Sequence, residues 1–161
     1  MNQVAGFSTS IEVTPTVSTS PAYSAEDQVG GLQTLDGAAA TDRKVTTLVT
    51  IVVVDKGKQN AALAILFFDS EPTVVSVDNG AVDVSDAELA SKCVGSVDVA
   101  ATDYEALANA SVATVKASSL GLAMKSKNSS GKLYALVKTS GTPTYASTSD
   151  LVFKYVFAKD L

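Results

Sequence analysis

Two apolar runs, VTTLVTIVVV over residues 45–54 and ALAILFF over residues 62–68, are separated by only seven residues, DKGKQNA. The first is dense in β-branched side chains and the second is continuously apolar, as in strands buried on both faces. A parallel strand–helix–strand crossover needs about ten to twelve residues or more. Seven cannot hold one, so the runs are expected as antiparallel strands joined by a short connection. This removes the doubly wound nucleotide-binding folds, and the glycines agree. Gly30, Gly31 and Gly37 do not make the three-glycine turn of a dinucleotide site, and no Gly-Lys-Ser/Thr supplies a phosphate loop. A phosphatase-type aspartate pair also fails, because Asp69 is followed by Ser70, Glu71 and Pro72.

The downstream sequence continues in short strands. TVVSVDNGAVDVS centres on Asn79-Gly80, which predicts a tight hairpin with a type I′ turn. AMKSKNSSGKLYALVK, residues 123–138, predicts a second hairpin with Asn128 to Gly131 as its turn. In DLVFKYVF the residues Leu151, Phe153, Tyr155 and Phe157 share one face. Ser85-Asp86-Ala87-Glu88 and Thr102-Asp103-Tyr104-Glu105 have the spacing of capping boxes, predicting two short helices. Together these predict an all-β fold over residues 25–161: an antiparallel β-sandwich or jelly roll of about eight strands with one or two short helices. Residues 1–24, carrying Pro15 and Pro21 among Ser, Thr and Val, read as an extended N-terminal arm or an edge strand.

Composition narrows the chemistry. The 161 residues suit one domain, and 46% hydrophobic against 18% charged residues is the balance of a folded chain. The apolar runs are too short to cross a bilayer, so no membrane partner is expected. The opening MNQVAGFSTSIEV has no basic region before an apolar one, which predicts synthesis in the cytoplasm without a secretory signal. Histidine is absent, which excludes Ser-His-Asp and Cys-His centres and the commonest zinc ligand. Cys93 stands alone and is expected as a buried structural thiol. A net charge of −5 with one arginine, Arg43, argues against nucleic acid, and the lysines near 56–58 and 125–132 read as loop flanks. Asp78, Asp83 and Asp86 do not have calcium-loop spacing and read as solvated turn carboxylates. No cofactor, metal or catalytic residue is expected. Paired carboxylates stay open among 17 acidic residues, although a sugar site would want the tryptophan platform this chain lacks. Tyr23 and Tyr145 lie in polar segments and read either as exposed rings or as rings partly buried at a loop.

KQNAALAILFFDSEP, VDNGAVDVSDAELASKCVGSVDVAATDYEALANASVAT and GTPTYASTSDLVFKY resemble segments of small structural proteins of tailed bacteriophages, the capsid decoration or cement proteins. The resemblance covers roughly residues 10–158. It implies a non-enzymatic β module on the outer surface of the virion, made in the host cytoplasm and bound to the major capsid protein. It further implies a homo-oligomer, such as a trimer at local three-fold positions. On that reading Phe7, Ile11, Val13 and Val17 of the arm are candidates for strand addition onto a neighbour, with Tyr23 and Tyr145 as further interface candidates. A head-fibre or tail protein is the alternative within the virion. A glycan-binding or carboxylate hydrolase module is the alternative outside it.

Overall fold

The computed structural model describes residues 7–39, 45–118 and 121–159. Its strands are β1 (Phe7–Val13), β2 (Gln33–Leu35), β3 (Val45–Asp55), β4 (Leu63–Phe68), β5 (Cys93–Val99), β6 (Tyr104–Ala106), β7 (Ser111–Lys116), β8 (Leu122–Lys125), β9 (Leu133–Thr139) and β10 (Leu151–Lys159). One helix, α1 (Asp86–Lys92), precedes β5. The larger sheet runs β1-β10-β3-β7-β6, with β8 also paired to β3, and the smaller runs β2-β9-β4-β5. Each pairing between named strands is antiparallel, giving the predicted all-β sandwich.

The core forms where the inward rows of the two sheets meet. From β10 come Leu151, Phe153, Tyr155 and Phe157, each 0% exposed, on the one face their alternation predicts. Tyr155 stacks with Phe153 and meets Phe67 of β4 edge-on, with ring centroids 6.1 and 5.9 Å apart. Burying one such side chain contributes roughly 1.5–3 kcal/mol, so this row fastens the two sheets to each other. β3 contributes Leu48, Ile51 and Val53. A register shift opposite Val156/Phe157 leaves Val49 outside the pairing, which keeps Leu48 and Ile51 inward although they are three apart.

Several local expectations need correction. β3 and β4 are joined by a short link as predicted, but they do not pair with each other; the link carries the chain from one sheet to the other. β3 is buried on one face and only half-buried on the other, because among the described residues no layer covers the larger sheet's outer side. Residues 123–138 are not a hairpin either. β8 joins β3, while β9 lies between β2 and β4 in the other sheet. The crossing loop is held by Lys127 N–H, which donates to the Asp69 carbonyl at 2.9 Å, and by Asn128 Oδ1, which accepts from Lys132 N–H at 3.0 Å. β9 is buried on both faces, with Leu133, Ala135 and Val137 in the main core and Tyr134 and Leu136 packing with Phe68 under α1 and the 72–84 loop.

Of the two predicted helices, the first forms. Ser85 Oγ accepts from Glu88 N–H, but the Glu88 carboxylate turns to Thr73 N–H at 2.8 Å and to Lys92 Nζ at 2.6 Å instead of closing the box. The second is a single 3-10 turn, Ala101–Asp103. Asp103 Oδ2 accepts from Ala100 N–H at 2.8 Å, which starts the turn early, and Tyr104 then enters β6 opposite Ala113.

The sequence reads residues 1–24 as an extended arm or an edge strand, beside a domain at 25–161. Residues 1–6 lie outside the described residues. Residues 7–13 pair along their full length with β10, from Phe7 opposite Lys159 to Val13 opposite Phe153. Residues 14–24 then cross the end of the sandwich, with Pro15, Val17 and Tyr23 buried. From Phe7 onward the segment is therefore built into the body.

Candidate interaction surface

At the end of the sandwich crossed by residues 14–31, the 72–84 loop is docked against that segment by backbone bonds. Gln28 N–H donates to the Gly80 carbonyl at 2.8 Å, Asn79 N–H to Gln28 at 2.9 Å and Val82 N–H to Glu26 at 3.0 Å. Within the loop the predicted pairing reduces to a single bridge between Val74 and Val84. The turn also starts one residue earlier than predicted. Gly80 N–H bonds to the Val77 carbonyl at 3.1 Å, and Asn79 alone takes the positive φ, at 61°.

Asp78 explains the shift. One of its oxygens, Oδ1, accepts from Gly30 N–H at 2.6 Å and from the Tyr23 hydroxyl at 2.6 Å. Tyr23 Oη in turn accepts from Ser18 N–H at 2.8 Å. This carboxylate is therefore a tie between three segments and not the solvated turn group predicted. Burial, and then the Asp78 carboxylate beside it, push the Tyr23 phenol far above its usual range, so it remains a donor. Gly30 is required at its position. Its φ is +72°, and a Cβ there would stand 2.6 Å from Pro15 Cβ.

The consequence is a firmly held loop that presents apolar side chains to water. Val75 and Val77 are 70% and 71% exposed. Behind them lies a crevice lined by Gln28, Leu32, Pro72, Val74 and Val77. Ser76, between the two valines, donates to Gln28 Oε1 at 2.6 Å, which fixes the alternation that turns Val75 and Val77 outward.

The residues predicted as interface candidates divide into two groups. Ile11 and Val13 are half-buried at the edge of the larger sheet, packed against the core rim. Phe7 lies in β1, and its side chain falls outside the described residues. Val17, Tyr23 and Tyr145 are each 1% exposed, inside the chain's own core. Of the two readings of Tyr23 and Tyr145, the exposed one is corrected and the buried one holds: they meet edge-on, with centroids 5.9 Å apart, and plug the end of the sandwich. Polar neighbours in sequence misled here, because the hydroxyls and amides around these rings satisfy loop backbone and leave the rings to the core. The hairpin reading of this segment does not single out the protruding valines. Pro72 and the Asp78-Asn79 pair were the available signal that this segment is a loop.

Below Tyr145 lies a second polar knot. Asp55, 0% exposed at the end of β3, accepts from Asn60 N–H at 2.8 Å through Oδ2. Asp150 Oδ2 accepts from Ala146 N–H and Ser147 N–H, both at 3.0 Å. Both carboxylates clamp loop backbone. Burial pushes the Asp55 carboxyl up, against the opposing pull of the surrounding N–H groups. Asp55 Oδ1 and Tyr145 Oη find no hydrogen-bond partner among the described residues. Cys93 is free and half-buried at the start of β5, less enclosed than predicted.

No family model and no curated protein matches the chain. Among solved structures it is similar to one of tomato aspermy virus, at 11% identity and a TM-score of 0.48, over 98% of this chain and 79% of that one. It is also similar to a heated full particle of Israeli acute paralysis virus, at 11% identity and a TM-score of 0.36, over 98% and 69%. A Kashmir bee virus empty particle gives 15% identity and a TM-score of 0.31, over 98% and 91%. Likenesses of this size leave function to the chain's own residues.

Proposed function

We propose that the chain is a non-enzymatic virion structural protein of the decoration type, which binds the outer surface of a major capsid protein shell and stabilises it. The observation that carries this reading is the pair Val75 and Val77, held out at 70% and 71% exposure by a loop that Asp78, Gln28 and Ser76 fix in place. Exposed aliphatic side chains on an ordered support fit docking, since little conformational entropy is left to lose on binding. The two polar knots are spent on holding loops, which suits a block whose activity is adhesion. The sequence segments that resemble decoration proteins supply the partner, and a homo-oligomeric state on the shell goes with it.

Cosedimentation with purified shells of a tailed phage that encodes the chain tests the proposal. Saturable binding in a fixed ratio to capsid subunits is expected, and it should be lost in a Val75→Asp/Val77→Asp variant. Absence of binding to shells, with recovery in tail or fibre fractions, refutes it.

A further inference from the structure

The edges of the two sheets are not treated alike. β2, β6 and β8 are three or four residues long, too short to template another strand. β5 is longer, but a register shift opposite Phe67/Phe68 interrupts its pairing. β1 differs: seven residues, unbroken register, no proline and no lysine between Phe7 and Val13. Among the described residues it pairs only with β10, so alternate backbone N–H and C=O groups along it point away from the sheet. Long, regularly paired edges of this kind are usually blocked by a charge, a proline or a bulge. The one charged side chain, Glu12, is drawn back to Lys154 of β10 at 3.6 Å. Ile11 and Val13 remain half-buried at the rim, where one more strand would finish covering them.

The geometry points to a second copy of this chain as the occupant, with β1 of one copy antiparallel to β1 of the other across a two-fold axis at Ser10. That register sets Ser10 opposite Ser10, Thr9 opposite Ile11, Ser8 opposite Glu12 and Phe7 opposite Val13, and it uses all seven residues. It keeps inward positions opposite inward ones, whereas a slip of one residue would set the rim of one core against the solvent face of the other. Moving the axis to Glu12 would bring two carboxylates face to face. The Ser10 register avoids this and joins the two larger sheets into one continuous sheet. The pairing is two-fold, so it departs from the trimer that the phage resemblance implies, and it does not depend on the decoration reading.

The test uses the full chain. Light scattering behind size exclusion should give twice the 16.5 kDa chain mass. Ser10→Lys, at an exposed position, should return the mass to that of one chain at the same concentration, with an unchanged circular dichroism spectrum and a melting temperature that no longer depends on protein concentration. In a Cys93→Ser background, Ser10→Cys should form a disulfide-linked dimer on mild oxidation, since directly opposite Cβ atoms lie about 4.5–5.5 Å apart, close to disulfide reach. Ser8→Cys should not, because in this register the two copies of residue 8 stand four residues apart along the strands, about 13 Å. A single-chain or trimeric mass for the unaltered protein, a dimer indifferent to Ser10→Lys, or equal crosslinking at the two positions overturns the proposal.

Discussion

Replacing Asp55 by Asn should stabilise this protein at neutral pH, and the gain should fade in acid. Asp55 is 0% exposed, and among the described residues Oδ1 has no hydrogen-bond partner while Oδ2 accepts from Asn60 N–H. A buried acceptor without a partner costs roughly 1–3 kcal/mol, more when charged. The amide keeps an acceptor for Asn60 and removes the charge, at the loss of about 1 kcal/mol as the N–H bond becomes one between neutral groups. The net gain is on the order of 1 kcal/mol, or about 2–4 °C in Tm for a chain of this size. The sign with pH follows from burial having raised the carboxyl in the folded state. The stability linked to this group is fully present below the unfolded value near 3.9, and it is lost as pH rises through the folded value. Urea unfolding followed by circular dichroism from pH 3.5 to 8 reads the difference directly. The Asn variant should gain on the unaltered protein as pH rises across this window. A variant that is less stable at pH 7, or a difference that grows toward acid, refutes the argument that desolvation dominates at Asp55.

Other substitutions separate the core from the surface. Phe153→Ala removes a ring stacked on Tyr155 from a site that is 0% exposed, and should cost about 3–5 kcal/mol in chemical denaturation. Tyr23→Phe strips Ser18 N–H of its acceptor and Asp78 of a donor, and should cost about 1–3 kcal/mol while raising hydrogen exchange across residues 72–84. Gly30→Ala forces a side chain into the positive-φ region and against Pro15, and should lower stability by at least about 1 kcal/mol. Val75→Asp/Val77→Asp should change stability by less than about 0.5 kcal/mol, because both side chains already stand in water.

Much of the fold is written in local pattern. The β10 row from Leu151 to Phe157 and the Ser85 cap both follow from spacing of two or three residues, and both form as the sequence predicts. What local pattern lacks is the choice of sheet. The links at residues 55–62 and 126–132 look like hairpin turns, yet each moves the chain between layers, a step decided by which inward rows meet in the core. The same holds for the interface candidates. Tyr23 and Tyr145 sit among Ser, Thr and Pro, and only the crossing of residues 14–24 over the sandwich end brings them together at 5.9 Å. Asp78 reads as a turn carboxylate until Gly30, 48 residues earlier, is placed beside it.

On the proposed function, this chain acts by lying on a shell with the 72–84 loop toward it. Cryo-electron microscopy of the intact particle tests that most directly. The account predicts density for the sandwich on the outer shell surface, in fixed ratio to capsid subunits, with Val75 and Val77 at the contact. Density confined to the tail or a fibre, or a shell contact made by another face with the valines in solvent, contradicts it.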